Sequence, residues 1–328
     1  MTIPNMERAW RGFAIVYASK NNIAERLCEE MKKREVPCSL FSYKEADFEN
    51  IWKCYDGIIF TMALSGAVRT VCKYAQSKDK DPAVIAIDDE GKFVIPILGA
   101  HWGANEYAEE IARLLDSTPV ITTASELSNI TSVEEFAKLI NCKILNVENI
   151  VKITSALLRG EEVCVKGLKA LPKVKGKYKI GDDCKYFVII GENQGNNDNA
   201  VYLRPLKLSI GIGSKIETDE RTIEEAILFA LNKINADITQ VEVISSVREK
   251  VRKVAEKLGV KFRLLSIDEV NSFKDECLSP QSEKLKELGI RSVAEACALI
   301  SAGKNAKLIL RKIPYKGEVT VSIASIGD

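Results

Sequence analysis

The sequence predicts an α/β protein: two three-layer α/β domains with mostly parallel sheets, joined by a smaller α+β middle module. Three observations carry this. Short apolar runs alternate with helical periodicity over residues 11–122 and again over 206–323, and that alternation builds a parallel sheet covered on both faces. Between them, Gly167 to Asp183 is rich in Lys, Gly and Pro, and Glu192 to Asn199 is a polar, turn-forming stretch with little to bury. The 328 residues also exceed one typical domain. The expected boundaries are 1–125, 126–204 and 205–328.

Each element follows from its pattern. Arg11 to Tyr17 is an apolar run and reads as a first strand. Asn21 to Lys33 places Ile23, Ala24, Leu27 and Met31 at helical spacing. Val36 to Phe41 and Gly57 to Ala63 read as strands, with Ala67 to Ala75 as a helix. Val84 to Asp88 and Phe93 to Leu98 flank Asp88-Asp-Glu-Gly91, a hairpin signal. A helix over 105–115 and a strand over 120–122 complete this half. In the middle module, Ser132-Val-Glu-Glu135 has the form of a capping box, and a second helix runs from Asn149 to Leu158. The last part restarts with a strand over 206–212. A Thr222-Ile-Glu-Glu225 box opens a helix to Asn232, a strand covers 241–244, and a helix covers 246–258. After a strand over 262–265, Ser282 is a candidate N-cap, Ser292-Val-Ala-Glu295 caps a helix stopping at Gly303, and two closing strands cover 308–312 and 318–323.

Composition excludes some function classes. Lys and Arg number 47 and Asp and Glu 46, a formal net charge of +1, whereas a general nucleic-acid binder shows a basic excess. No apolar run approaches the ~20 residues a bilayer span needs, and Arg8 and Arg11 interrupt the only candidate secretory segment. A cytoplasmic location is expected, with no membrane partner. The nine cysteines include no CxxC pair, so neither a zinc ribbon nor a redox motif is supported. They are expected as buried free thiols.

The chemistry concentrates on Phe93 to Ala108. His101 is the only histidine and falls on a small-residue turn between a strand and a helix, where the open carboxyl end of an α/β sheet takes ligands. Gly99 and Gly103 leave room for close approach, and Asn105 is suited to cap the helix. An imidazole titrates near ~6.5 and can accept a proton at neutral pH, so His101 is the candidate general base. The alternatives are a loop hydrogen bond or axial ligation of a ligand's metal. Glu106 either assists His101 or simply favours a helix N-terminus. A second turn offers Ser65 and Gly66 for close approach and Arg69 as a fork for a carboxylate. Lys250, Arg252, Lys253 and Lys257 read as a solvated basic face. Gly211-Ile-Gly213 lacks the third glycine and the GK[ST] ending of a nucleotide loop.

Val94 to Leu98 with His101 and Asn105, Pro119 to Ala124, Asp79 to Asp88 and Ala67-Val-Arg69 resemble the cobalt-precorrin-5A hydrolases of anaerobic cobalamin biosynthesis. So do Leu208 to Gly213, Thr222 to Ala226 and Ser292 to Ala296. The resemblance implies a cobalt-bearing tetrapyrrole substrate, whose ring-A acetate δ-lactone is opened with release of acetaldehyde to give cobalt-precorrin-5B. It implies no protein-bound metal and no cofactor, since cobalt arrives with the substrate. His101 and Glu106 would be catalytic. Ser65, Gly66, Arg69, Gly99, Gly103, Asn105, Gly213, Ser214, Lys215 and Thr218 would bind substrate. Ser214 stands where the family commonly has Cys, and Glu217 where it has Gly. The alternative is a non-catalytic tetrapyrrole carrier of the same pathway. A homodimer, or transient contact with neighbouring pathway enzymes, completes the expected partners.

Overall fold

The computed structural model describes residues 5–19, 22–78, 80–122, 130–281 and 292–327, with the backbone alone for Asn5 and His101. Asn21 and Ser282, expected at helix starts, lie outside the described residues. The chain divides into two compact units, residues 1–124, 209–230 and 243–328 in one, and 125–208 with 231–242 in the other.

The first unit holds two sheets. The first comprises β1 (Phe13–Tyr17), β2 (Cys38–Ser42), β3 (Gly57–Thr61), β4 (Ala83–Ile87), β5 (Phe93–Leu98) and β6 (Thr118–Pro119), in the order β2-β1-β3-β4-β5-β6. Its centre is parallel, β1 with β2 and β3, and β3 with β4. Helices α1 (Asn22–Lys33), α2 (Phe48–Cys54), α3 (Leu64–Tyr74) and α4 (Ala104–Leu115) connect the strands. The period of two sends alternate residues to opposite faces. Phe13, Ile15, Ile59 and Ile85 meet α1 and α4 through Leu27, Met31, Ala108 and Ile111. Val16, Ile58, Phe60 and Val84 meet α2 and α3 through Ile51, Trp52, Ala67 and Val71. Asp88 to Gly91 does make a hairpin, so β5 runs antiparallel to β4, pairing Ile87 with Val94 and Val84 with Leu98.

The second unit carries α5 (Val133–Leu139), β7 (Cys142–Ile144), α6 (Ile150–Leu158), β8 (Val163–Lys166), β9 (Tyr178–Ile180), β10 (Tyr186–Ile190) and β11 (Ala200–Pro205). Its sheet, β7-β11-β10-β8-β9, is parallel except at β7. The Lys-rich stretch that lost apolar periodicity still supplies β9. Ser132 accepts from the Glu135 N–H and caps α5, and α6 ends before Gly160, whose φ is +74°.

The remaining sheet lies mainly in the first unit and has the order β14-β13-β12-β16-β15. It is built from β12 (Leu208–Ser214), β13 (Val241–Ser246), β14 (Lys261–Leu264), β15 (Lys307–Tyr315) and β16 (Val319–Ser325). Its helices are α7 (Glu220–Lys233), α8 (Val251–Lys257), α9 (Ile267–Ser272) and α10 (Val293–Ala302). Helix α7 starts earlier than Thr222, because Asp219 accepts from the Thr222 N–H at 2.6 Å; the expected box therefore lies inside the helix. Helix α8 starts later than Ser246, at Val251; the Ser246 hydroxyl donates to the Ile212 carbonyl at 2.8 Å and accepts from the Arg248 N–H at 3.1 Å.

The expectation of nine free thiols is corrected. Cys54 is bonded to Cys277 and Cys164 to Cys184, while Cys28, Cys38, Cys72, Cys142 and Cys297 remain thiols. The bonded pairs are 223 and 20 residues apart, so folding rather than a short motif brings them together. Titration of unreduced protein in denaturant should therefore find five reactive thiols; nine would contradict both pairings. Among the free ones, Cys28 and Cys38 have sulfurs 2.6 Å apart. The hydrogen bond from Cys38, with help from Lys32, outweighs burial and lowers Cys28 to about 7.

Candidate active site

The small-residue turn is built by two left-handed glycines. Gly99 (φ +81°) and Gly103 (φ +88°) bracket a single 3-10 turn, Ala100–Trp102. A Cβ on Gly99 would stand 2.6 Å from the Ala83 Cα, so only glycine permits this approach. Trp102 pins the turn from outside by donating its ring N–H to the Lys78 carbonyl at 3.2 Å. Gly103, not Asn105, occupies the N-cap of α4. Asn105 and Glu106 sit inside the first helical turn, half-buried. His101 lies on the 3-10 turn, and its side chain is outside the described residues.

The position of this turn corrects the sequence-based expectation. Because the hairpin reverses β5, its last residue, Leu98, pairs with Val84 near the start of β4. The His101 turn thus sits at the amino end of the parallel strands, not the carboxyl end. Ser65, Gly66 and Arg69 follow β3 and occupy the opposite, carboxyl end within the first two turns of α3. A strand rise of about 3.3 Å per residue over five residues puts the two turns roughly 15 Å apart. Ser65 and Arg69 are exposed there, and the structure does not bring them to His101.

The amino end is also where the two sheets of the first unit meet. The Arg311 N–H donates to the Trp10 carbonyl at 3.0 Å, so the segment before β1 continues the edge of β15. The Arg311 guanidinium donates to the carbonyls of Arg11 (2.8 Å), Cys54 (2.9 Å) and Cys277 (3.0 Å) and to the Ser279 hydroxyl (2.9 Å). It lies over the Tyr55 ring at 3.9 Å and 3.8 Å from Glu295, both partners almost fully buried. Burial pushes the Glu295 carboxyl up, but Arg311, Lys312 and the bonds from Ser279 prevail and hold it below the usual carboxylate range.

The third group of candidates, Gly213, Ser214, Lys215 and Thr218, forms the turn from β12 to α7. Gly213 lies against Val293 at the start of α10, with 3.6 Å to the position of a Cβ. Two residues further, Glu295 holds Arg311 at the seam. This turn is therefore tied to the seam through α10. The Ser214 and Thr218 hydroxyls are sequestered with no hydrogen-bond partner among the described residues, and Lys215 is exposed. Lys250 is the residue sequence reasoning misassigned. Arg252, Lys253 and Lys257 do lie on the surface in ion pairs with Glu249, Glu220 and Glu224. Lys250 instead donates to the carbonyls of Lys215, Ile216 and Thr218, each at 2.7 Å. Its place just after β13, the strand beside β12, was the available signal.

The comparisons decide the family. The Cobalamin synthesis G N-terminal model matches residues 46–126, the CbiG-like linker domain 131–206 and the Cobalamin synthesis G C-terminus 208–324. The chain belongs to the cobalamin biosynthesis protein G family. Its fold is that of a solved family homolog from Sulfolobus solfataricus, with a TM-score of 0.85, 42% identity, and 98% of this chain and 99% of that one covered. A cobalt-precorrin-5A hydrolase of Priestia megaterium is 27% identical over 304 residues, 84% of this chain and 80% of the relative. A probable cobalt-precorrin-5A hydrolase of Methanocaldococcus jannaschii is 27% identical over 289 residues, covering 82% and 85%. The family's three segments thus run in order through the chain, and the His101 turn falls within the first of them. Among the described residues no helix is long and apolar enough to cross a membrane.

Proposed function

We propose that this chain is a cobalt-precorrin-5A hydrolase, acting at the seam side of the first unit. The observation that carries the reading is the match over more than four-fifths of the chain to the hydrolase of Priestia megaterium. The reaction consumes one water. Addition of water to the ring-A δ-lactone frees a carboxylate and a hydroxyl. Loss of that hydroxyl's proton lets its carbon–carbon bond break, so acetaldehyde leaves and the electron pair on the macrocycle carbon takes a proton. His101 serves as the base for these transfers and Glu106, five residues on in the first turn of α4, assists it. Cobalt is part of the substrate.

The geometry supports a different distribution of the binding residues. Lys215, exposed on the β12–α7 turn, receives peripheral carboxylates on the seam side, and the sequestered Ser214 and Thr218 hydroxyls are left out. Arg69, with Ser65 and Gly66, stands at the far end of the first sheet and is left out of this centre. Lys215→Ala should raise KM about tenfold, the worth of a charged contact, while Arg69→Ala should leave KM within about twofold. The reverse pattern would move the macrocycle to the carboxyl end. Lactone opening itself is checked by turnover in water enriched in oxygen-18. One heavy oxygen should enter the freed ring-A carboxylate, and none would exclude attack by water at the lactone.

A further inference from the structure

Lys250 stands apart from the other cations of its helix, because its ammonium faces backbone. Its Nζ holds three carbonyls of one turn, those of Lys215, Ile216 and Thr218, at 2.7 Å each. That uses every donor a lysine ammonium has. A trans peptide unit is planar, with its N–H opposite its C=O, and the described chain has no cis bond. Three carbonyls drawn to Lys250 therefore turn the N–H groups of Ile216, Glu217 and Asp219 away from its ammonium. The turn is fastened on its other side by the Lys215 N–H, which donates to the Glu318 carbonyl at 3.0 Å. Thr218 is 4% exposed and its hydroxyl is sequestered without a partner among the described residues, and Ile216 stands out from the surface.

We propose that Lys250 is a positioning residue of the substrate site: it sets the β12–α7 turn so that Lys215 and those backbone N–H groups receive a carboxylate of the macrocycle. This rests on the reading of that turn as substrate-binding. Lys250 acts through the turn and touches no reacting atom. Its effect therefore belongs to substrate affinity and not to the chemical step. An ammonium is suited to the task, since it is a compact cation with three donors that converging carbonyls can share.

The test compares wild type with Lys250→Met and Lys250→Arg by three readouts: amide hydrogen exchange over 214–219, Kd for cobalt-precorrin-5A by absorbance titration, and KM against kcat. In Lys250→Met the amides of the turn should exchange at least about tenfold faster. Kd and KM should rise about tenfold, kcat should stay within about twofold, and Lys250→Arg should recover part of the loss. Unchanged exchange would show that Lys250 does not set the turn. Faster exchange with unchanged Kd would show that the turn does not serve the macrocycle. Either result overturns the proposal. If Lys250→Met does not fold, Lys250→Gln, which keeps a donor without the charge, takes its place on the same criteria. A wild type that binds the macrocycle without releasing acetaldehyde would defeat the hydrolase reading alone, and Lys250 would still be judged on Kd. A wild type that does not bind it would defeat both.

Discussion

Replacing His101 by Ala should lower kcat for cobalt-precorrin-5A by about 100-fold or more, the contribution expected of a positioned general base. KM should change far less, because the carboxylate contacts proposed above lie elsewhere, at the β12–α7 turn. The substitution should also leave the fold intact. The local backbone is set by Gly99 and Gly103 in left-handed conformations and by the Trp102 bond to Lys78, none of which involves the imidazole. A thermal midpoint within a few degrees of wild type would verify this. Glu106→Gln beside it separates the two carriers of the proton. If His101→Ala retains activity and Glu106→Gln loses it, the base is Glu106.

The second large effect concerns stability. Arg311→Met should destabilise the first unit by about 3–5 kcal/mol, the cost of breaking a buried ion pair from one side. Methionine fills much of the arginine stem's volume, so packing changes little. What is lost is the set of donors to Arg11, Cys54, Cys277 and Ser279 and the charge facing Glu295. The Glu295 carboxylate keeps its bonds from the Ser279 N–H and hydroxyl and from the Ser292 hydroxyl, yet it is left buried without its main counter-charge.

The pH dependence has a definite sign. In the native protein the Glu295 carboxyl is held below the usual carboxylate range. Its ionisation therefore contributes stability above the unfolded value near ~4.3, and this is lost as pH falls through the lower folded value. Without Arg311, burial dominates and pushes the carboxyl up instead. The variant's deficit should then be greatest at neutral pH and shrink as acid neutralises Glu295. Urea midpoints at pH 7 and pH 5 measure this directly. A deficit that grows on acidification would contradict the assignment. The double variant Arg311→Met with Glu295→Leu should recover much of the loss, because no lone charge remains.

The layered α/β architecture was legible because it rests on local patterning. The buried runs of β1, β3 and β4, the helical spacing in α1 and the hairpin at Asp88 to Gly91 all carry their signal within a few residues. The end of the sheet that receives His101 was not so visible. The hairpin and the His101 turn were each read correctly, but only their combination, through the antiparallel register of β4 and β5, places the turn at the amino end. The disulfide partners, Arg311 with Glu295, and Lys250 with the β12–α7 turn join residues brought together by tertiary folding, and no spacing rule reports such pairs. Asn105 was misplaced as a cap for a related reason. Asn is a good N-cap in general, but here Gly103 already supplies the left-handed turn that ends the 3-10 segment and starts α4.

Conversion of cobalt-precorrin-5A to cobalt-precorrin-5B is the activity proposed for this chain. The most direct measurement is anaerobic incubation of the purified protein with cobalt-precorrin-5A and a carbonyl-trapping reagent, counting acetaldehyde against macrocycle consumed. One acetaldehyde for each macrocycle, released over many turnovers, is the predicted result. Folded protein that binds the macrocycle and releases no acetaldehyde would contradict it and assign the chain to tetrapyrrole binding without catalysis.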